Sequence, residues 1–150
     1  MTQILNPDKF AAFIQDQAPS ILSIDYGSKN LGLAYASSPT YVTTPLNVLK
    51  RTTLKKDFKA LEETRKDFPF HCVVVGLPLN MDGSEGAMAQ AAKQFGFYLS
   101  TTCHWPVCFW DERLSSVEAA ERSFQRKQKR LDHVAAHIIL ESFLNLYLKR

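Results

Sequence analysis

The sequence predicts an α/β fold, in which helices flank a mixed sheet of a three-stranded antiparallel meander plus two parallel strands. Three observations predict it. Two apolar runs, 21–25 and 31–36, are joined by a short turn that contains glycine, as in an antiparallel pair. The later runs 71–77 and 107–110 are almost continuously apolar, which is typical of strands covered on both faces. Segments of helical periodicity alternate with these runs.

The first half of the chain adds two helices and a strand to this plan. A helix is predicted over residues 7–17, because Asn6 and Pro7 form a helix-start signal ahead of an apolar stripe. The segment 41–44 is rich in β-forming residues and predicts the third strand of the meander. Apolar residues at helical spacing predict a second helix over 55–66.

The second half of the chain is predicted to be mostly helical. An Ala-rich helix is expected over 85–99, with Asp82 or Ser84 as its N-terminal cap. A further helix should begin at 115–118, which reads as a capping box. The last helix begins at Asp132. The residues expected on its buried side are Ala135, Ala136, Ile139, Phe143 and Leu146.

Length and composition predict one domain over residues 1–150, in which residues 1–20 form an N-terminal helical extension. No apolar run approaches the ~18 residues of a membrane span, and the N-terminus lacks the pattern of a secretory signal. The three cysteines are an odd number in apolar surroundings, which favours buried thiols in a reduced compartment. We therefore expect a cytoplasmic protein without a membrane partner, either a monomer or a weak homodimer.

The net charge of +3 permits an anionic partner without requiring one. Basic residues concentrate in two groups, one over 122–130 and one made of Lys50, Arg51, Lys55, Lys56 and Lys59. Such runs are more often solvated faces than binding sites. The first group nevertheless leads directly to Asp132, where an approaching phosphate backbone would require cations.

Acidic residues adjoin apolar segments at three points that are far apart in the sequence. Asp25 ends the first strand, Asp111 and Glu112 end the strand from residue 107, and Asp132 begins the last helix. Ligands of open α/β sheets bind beyond the carboxyl ends of the strands, so these carboxylates would meet there if their strands are neighbours. Three such carboxylates commonly hold Mg²⁺ or Mn²⁺ and cut phosphodiesters.

Structural roles are the alternatives to a metal site. Asp25 could cap a turn, and Asp132 would suit the positive end of a helix dipole. Alternation along a strand places Asp111 and Glu112 on opposite faces, and the residues alone leave open which of them faces Asp25.

Four motifs give the chain a family resemblance from Leu22 to Phe143. They are D-Y-G-S-K-N-L-G-L-A at 25–34, V-V-G-L-P-L-N-M-D-G-S-E at 74–85, D-E-R-L-S-S-V-E-A at 111–119 and L-D-H-V-A-A-H-I-I-L-E-S at 131–142. In this order they resemble the YqgF-type pre-16S rRNA nucleases, relatives of the RuvC Holliday-junction resolvases in the ribonuclease-H-like superfamily. The resemblance implies a ribonuclease-H-like fold and a nuclease that processes the 5′ end of pre-16S rRNA. Two alternatives stay open, a Holliday-junction-resolvase-like DNA endonuclease and a non-catalytic nucleic-acid-binding module.

The resemblance also implies the site residues. Asp25, Glu112 and Asp132 would be the catalytic ligands of Mg²⁺ or Mn²⁺, with Asp111 as the alternative to Glu112. The candidate contacts to nucleic acid, which would be pre-rRNA or branched DNA, are Lys29, Asn80, Arg113, Arg126, Lys127, Lys129 and Arg130. The sequence is equally compatible with a turn role for Asn80 and with a surface ion pair for Arg113.

Overall fold

A computed structural model describes residues 4–114 and 132–147 of the chain. Its strands are β1 (Ile4–Leu5), β2 (Ile21–Tyr26), β3 (Asn30–Ala36), β4 (Thr44–Pro45), β5 (Leu49–Lys50), β6 (Cys72–Leu77) and β7 (Val107–Asp111). Its helices are α1 (Pro7–Gln17), α2 (Leu54–Asp67), α3 (Ala87–Thr102) and α4 (Asp132–Tyr147), and a 3₁₀ turn, Glu112–Leu114, follows β7. No helix in these ranges is long and apolar enough to cross a membrane.

The strands form one mixed sheet in the order β1-β7-β6-β2-β3-β4, and β5 also pairs with β3. β2 and β3 are antiparallel, from the pair Ile21–Ala36 to the pair Tyr26–Leu31. β6 runs parallel to both β2 and β7, and β1 runs parallel to β7. The predicted mixed α/β sheet is therefore confirmed. The two strands that end in acidic residues are not neighbours, however, because β6 lies between them.

Helices cover both faces of the sheet. One face packs against α1 and α4, with Ile21, Val74 and Trp110 among its buried strand residues. The other face packs against α2 and α3 and includes Leu22 and Val73. We call these the α4 face and the α3 face. Successive residues of β2, β6 and β7 therefore alternate between two apolar layers, which explains why these strands are apolar almost throughout.

The third meander strand differs from the prediction. Tyr41 has a φ of 52°, in the left-handed region, so the chain turns there instead of continuing as a strand. The side chain of Tyr41 is buried, and its hydroxyl donates to the carbonyl of Pro19 at 2.8 Å. Two short strands, β4 and β5, pair with β3 in place of the predicted strand over 41–44. The aromatic residue that suggested a strand instead anchors a turn.

The predicted cap of the Ala-rich helix was wrong. Gly86 occupies the cap position of α3 without a side-chain hydrogen bond, and the helix extends to Thr102. The carboxylate of Asp82 instead accepts hydrogen bonds from the backbone N–H and the hydroxyl of Ser84, at 2.9 and 2.6 Å. The capping box predicted at 115–118 lies outside the described residues.

The ends of the chain bring two further differences. β1 was not predicted, because a two-residue strand carries no alternation to detect. Leu146 was expected on the buried side of the last helix and is 56% exposed, whereas Phe143 and Leu144 are buried. Helical periodicity identifies the buried stripe, but it does not show where the covering layer ends. Of the three cysteines predicted to be buried, Cys72 and Cys108 are buried and Cys103 is half-buried. Burial raises the pKa of the Cys108 thiol to about 12.

Candidate active site

Asp25 lies at the carboxyl end of β2, on the α4 face of the sheet. It pairs with Gly32 of β3 and is partly buried. Two residues earlier, the hydroxyl of Ser23 donates to the carbonyl of Ala136 in α4 at 2.6 Å, which fixes the direction of this side of the strand. Because side chains two residues apart on a strand share a face, the carboxylate of Asp25 also points toward the α4 layer.

Glu112 reaches the same face from the end of β7. A Cβ atom added to Gly76 of β6 would lie 2.9 Å from Oε1 of Glu112 and would collide with the end of Ile139 in α4. The Glu112 carboxylate therefore lies over the carboxyl end of β6, the strand next to β2. Neighbouring strands are about 4.8 Å apart, so Glu112 lies beside the strand that carries Asp25. Gly76 is the residue that leaves room for this approach.

Asp111 lies on the other side of the sheet. It follows Phe109 by two residues, and Phe109 packs into the α3 face. Nε of Arg113 donates to both carboxylate oxygens of Asp111 at 3.1 Å, and Nη2 donates to Oδ2 at 2.8 Å. These hydrogen bonds hold the pKa of Asp111 below its usual range. Of the two acids at the end of β7, Glu112 is thus the one on the side of Asp25.

The third predicted ligand, Asp132, is the first residue of α4, one helical turn before the carbonyl that Ser23 contacts. Its backbone thus belongs to the helix that covers the face of Asp25, and its side chain lies outside the described part. The basic residues Arg126, Lys127, Lys129 and Arg130 also lie outside it.

The donor chemistry of this site fits a hard divalent cation. Two carboxylates on one face, Asp25 and Glu112, offer the oxygen ligands that Mg²⁺ and Mn²⁺ prefer. Within the described side chains no group of three His, Cys, Asp or Glu residues could hold a metal ion. The pair therefore requires a third donor, for which Asp132 is the sequence-based candidate.

The remaining predicted contacts lie in loops at this edge. Lys29 is exposed in the turn after β2. Nδ2 of Asn80 donates to Oγ of Ser84 at 2.9 Å, and the Asn80 N–H donates to the Ser84 carbonyl at 2.9 Å, so its turn role is the one observed. Nη1 of Arg113 donates to the carbonyl of Met81 at 3.1 Å, which ties the same loop to the end of β7.

Sequence reasoning missed the role of Arg51, which it had grouped with solvated lysines. The Arg51 side chain is only 17% exposed, and its Nε lies 3.1 Å from Oδ2 of the buried Asp57. Its Nη1 donates to the Tyr26 hydroxyl at 2.6 Å and to the Gly27 carbonyl at 3.2 Å. Arg51 therefore holds the turn that follows Asp25, and no local pattern distinguishes it from its basic neighbours.

Asp57→Ala is expected to destabilise the protein by about 3–5 kcal/mol, because it leaves the partly buried Arg51 guanidinium without its ion-pair partner. The Thr52 N–H, which donates to Oδ1 of Asp57 at 3.1 Å, also loses its acceptor. Urea unfolding measures the effect. The matched control is Glu63→Ala, which removes an exposed ion pair with Lys66 and should cost less than about 1 kcal/mol. Equal effects of the two substitutions would contradict the role given to Asp57.

Gly76→Ala is expected to lower the activity of the site more than the stability of the fold. The added methyl group displaces the Glu112 carboxylate and pushes on Ile139 in a packed layer. Overpacking of this kind costs about 1–3 kcal/mol, and a misplacement near 1 Å at a reacting centre can cost ~100-fold in rate. Activity assays together with urea unfolding of the same preparation measure both effects. Full activity in the variant would show that Glu112 does not need the space above Gly76.

Pocket size alone does not identify the site. The larger of two prominent pockets, about 480 Å³, is lined by His71 and Trp105, which precede β6 and β7. It therefore lies at the amino end of the parallel strands, whereas ligands of open α/β sheets bind at their carboxyl ends. Asp25, Glu112 and the start of the loop between β6 and α3, called the Asn80 loop below, all lie at the carboxyl end.

Sequence comparison finds related proteins over most of the chain. The model of a family described as "RuvX: Holliday junction resolvase" matches residues 19–146. A protein of Rhodobacter capsulatus named "Putative pre-16S rRNA nuclease" is 36% identical over 144 residues, which cover 92% of this chain and 90% of the relative. A Paracoccus denitrificans protein of the same name is 38% identical over 133 residues and 84% of each chain.

Structural comparison supports the same fold. The structure of Thermus thermophilus RuvC superposes with a TM-score of 0.57 at 15% sequence identity, and the match covers 87% of this chain and 95% of RuvC. At that identity the likeness concerns the fold alone, a mixed sheet of the ribonuclease-H type between helical layers.

Proposed function

This chain belongs to the RuvX family of Holliday junction resolvases, and from that membership we propose that it is a divalent-metal-dependent nuclease that processes the 5′ end of pre-16S rRNA. The substrate is taken from the names of relatives that are 36–38% identical over most of the chain. An rRNA precursor as substrate would place the protein in the cytoplasm.

One observation carries the nuclease assignment. Asp25 and Glu112 lie on one face at the carboxyl edge of the sheet, although 87 residues separate them in the sequence. Two carboxylates on one face at the ends of nearby strands supply the oxygen ligands that a hard divalent cation prefers. The fold maintains this arrangement by placing a glycine, Gly76, on the strand between them. A structural role for either acid alone would not need that glycine.

The proposed mechanism assigns each side chain a task in phosphodiester hydrolysis. Asp25, Glu112 and Asp132 would hold Mg²⁺ or Mn²⁺. When bound, such ions lower the pKa of an attacking water and stabilise the leaving oxygen. The ammonium group of Lys29, exposed in the turn after Asp25, would bind and orient the substrate phosphate. Arg51 is a positioning residue, because it fixes the turn that follows Asp25 and carries Lys29.

A second candidate is a DNA endonuclease that cuts branched DNA. It is favoured by the description of the family whose model matches residues 19–146. Symmetrical cutting of a four-way junction needs two active sites, so a junction endonuclease is predicted to be a homodimer. A pre-rRNA nuclease is compatible with a monomer or a weak dimer.

The test is a direct comparison of two substrates. Purified protein is incubated with Mg²⁺ or Mn²⁺ and either an RNA that carries the 5′ leader of the small-subunit rRNA or a four-way DNA junction. We expect metal-dependent cleavage of the RNA. Cleavage of the junction alone would replace the substrate with branched DNA. Binding of either substrate without any cleavage would favour a non-catalytic binding module.

A further inference from the structure

A second feature of the same sheet edge is a pocket of about 260 Å³ on the α3 face. Its walls are aromatic. The rings of Tyr26 and Phe95 lie 5.2 Å apart, and Tyr98 is the third aromatic residue of the lining. The Arg51 guanidinium lies 4.6 Å from the centre of the Tyr26 ring and 5.6 Å from that of Phe95. The pocket is therefore bounded by flat π surfaces and one cation.

Polar groups without protein partners line the opening of this pocket. Among the described residues, the side-chain amide of Gln94 and the hydroxyl of Tyr98 make no hydrogen bond, and both residues are exposed. Among the same residues, Nη2 of Arg51 has no acceptor, because the hydrogen bonds of this guanidinium use Nε and Nη1. Arg51, Gln94 and Tyr98, which carry these groups, all line the pocket.

This combination matches the chemistry of a nucleobase. Bases that are not paired stack on aromatic side chains and on arginine, and their edges bond to amides and guanidinium groups. The volume is below the roughly 300–1,000 Å³ of pockets that hold drug-sized molecules, so it suits one planar group. A base inside a duplex is stacked on its neighbours and cannot enter such a pocket.

The position of the pocket relates it to the carboxylates. Tyr26 directly follows Asp25 on β2, and consecutive residues of a strand point to opposite faces. The pocket and the carboxylates therefore lie at the same edge of the sheet, on opposite faces. Lys29, Lys50 and Lys55 are exposed beside the lining residues in the sequence, which supplies cations for the phosphates of a strand that crosses the edge.

We propose that this pocket binds an unpaired base of a single-stranded nucleic acid, at the same edge of the sheet as the phosphodiester held at Asp25 and Glu112 on the other face. The inference rests on the proposed function for the position of that phosphodiester. It deepens that function by specifying a single-stranded segment at the cleavage point, in preference to the paired arms of a junction.

The test is a binding experiment that does not depend on cleavage. Fluorescein-labelled 8-nucleotide RNA and DNA single strands are titrated with protein that carries Asp25→Asn, and anisotropy gives the Kd. Tyr98→Ala is expected to weaken binding by about 5- to 150-fold, the loss of one stacked base. Tyr98→Phe keeps the ring and should stay within about threefold. The matched control is Phe97→Ala. Phe97 directly precedes Tyr98 and is similarly exposed, at 43% against 40%, but its ring packs on Phe109 outside the pocket.

Abasic substitution identifies the base itself. An abasic site at the bound position should weaken binding to the Tyr98 protein as much as Tyr98→Ala does, and the two changes should not add. The proposal is overturned if Tyr98→Ala binds as tightly as Phe97→Ala, or if its loss persists with a fully abasic strand. It is also overturned if free nucleoside monophosphates bind as tightly as the 8-mers, which would make this a mononucleotide site. Binding of RNA alone, or of RNA and DNA alike, supports it.

The outcomes separate this proposal from the proposed function. If the protein cleaves neither substrate but binds single strands through Tyr98, the nuclease assignment fails and the base pocket stands. If it cleaves RNA with no effect of Tyr98→Ala on binding, the base pocket fails and the nuclease assignment stands. Far-UV circular dichroism of Tyr98→Ala shows whether the variant is folded, and Tyr98→Phe carries the test if it is not.

Discussion

Asp25→Asn is expected to abolish metal-dependent cleavage, with a loss of at least about 1,000-fold. The substitution keeps the shape of the side chain and removes the charge that would hold the cation. A bound divalent ion contributes several kcal/mol to stabilising the transition state, and each 1.36 kcal/mol corresponds to tenfold in rate. Initial rates on the leader RNA with Mg²⁺ or Mn²⁺ measure the loss, and the control is Asp67→Asn at an exposed residue near the end of α2.

The stability of Asp25→Asn separates the catalytic role from the structural one. If Asp25 acts on the cation, Asp25→Asn should lose its activity while it stays folded, with a cooperative thermal transition in metal-free buffer. If Asp25 instead capped the turn after β2, the variant would lose stability and keep its activity. A lower Tm together with full activity would therefore contradict the proposed site.

Glu112→Gln and Asp111→Asn form a pair of variants that assigns the second carboxylate. Glu112→Gln is expected to reduce cleavage by about 100-fold or more, because Oε1 lies above Gly76 on the face of Asp25. Asp111→Asn should retain most of the activity, since its carboxylate lies on the other face and bonds to Arg113. Its effect should instead be a small decrease in Tm, from a weakened link between β7 and the Asn80 loop.

The reverse result would assign the site to Asp111. Isothermal titration with Mn²⁺ provides a second measurement, in which Glu112→Gln weakens binding and Asp111→Asn does not. Loss of both activity and metal binding in Asp111→Asn, with both retained in Glu112→Gln, would contradict the assignment of Glu112 to the site.

Much of the secondary structure follows from local patterns in the sequence. The predicted helix over 7–17 matches α1, because a proline after a capping asparagine specifies a start within a few residues. The Asn6 side chain accepts from the Lys9 N–H at 2.8 Å, as that signal implies. The strand predicted over 41–44 was wrong, because its conformation depends on distant residues. Its β propensity was outweighed by the burial of Tyr41 in a turn, which depends on residues distant in the sequence.

Some features of the candidate site follow from local sequence, and others depend on the tertiary structure. An apolar run that ends in an acid and a glycine turn marks Asp25 from the sequence, since both the strand and the turn are local. The choice between Asp111 and Glu112 needed the tertiary structure, because it depends on which face α4 covers and on a glycine in the strand between. The alternation of residues along a strand shows that the strand has two faces, but it does not show which helix covers each face.

The sequence by itself thus determined the fold class and the family, because both are encoded in contiguous motifs, and it predicts the three acidic positions. Only the tertiary structure decided what surrounds them. Arg51 looks like a solvated cation in the sequence and is instead a partly buried partner of Asp57. Tyr26, Gln94 and Tyr98 form a pocket from two separate elements. Long-range packing, which determines desolvation and contact, is not a property of any local segment.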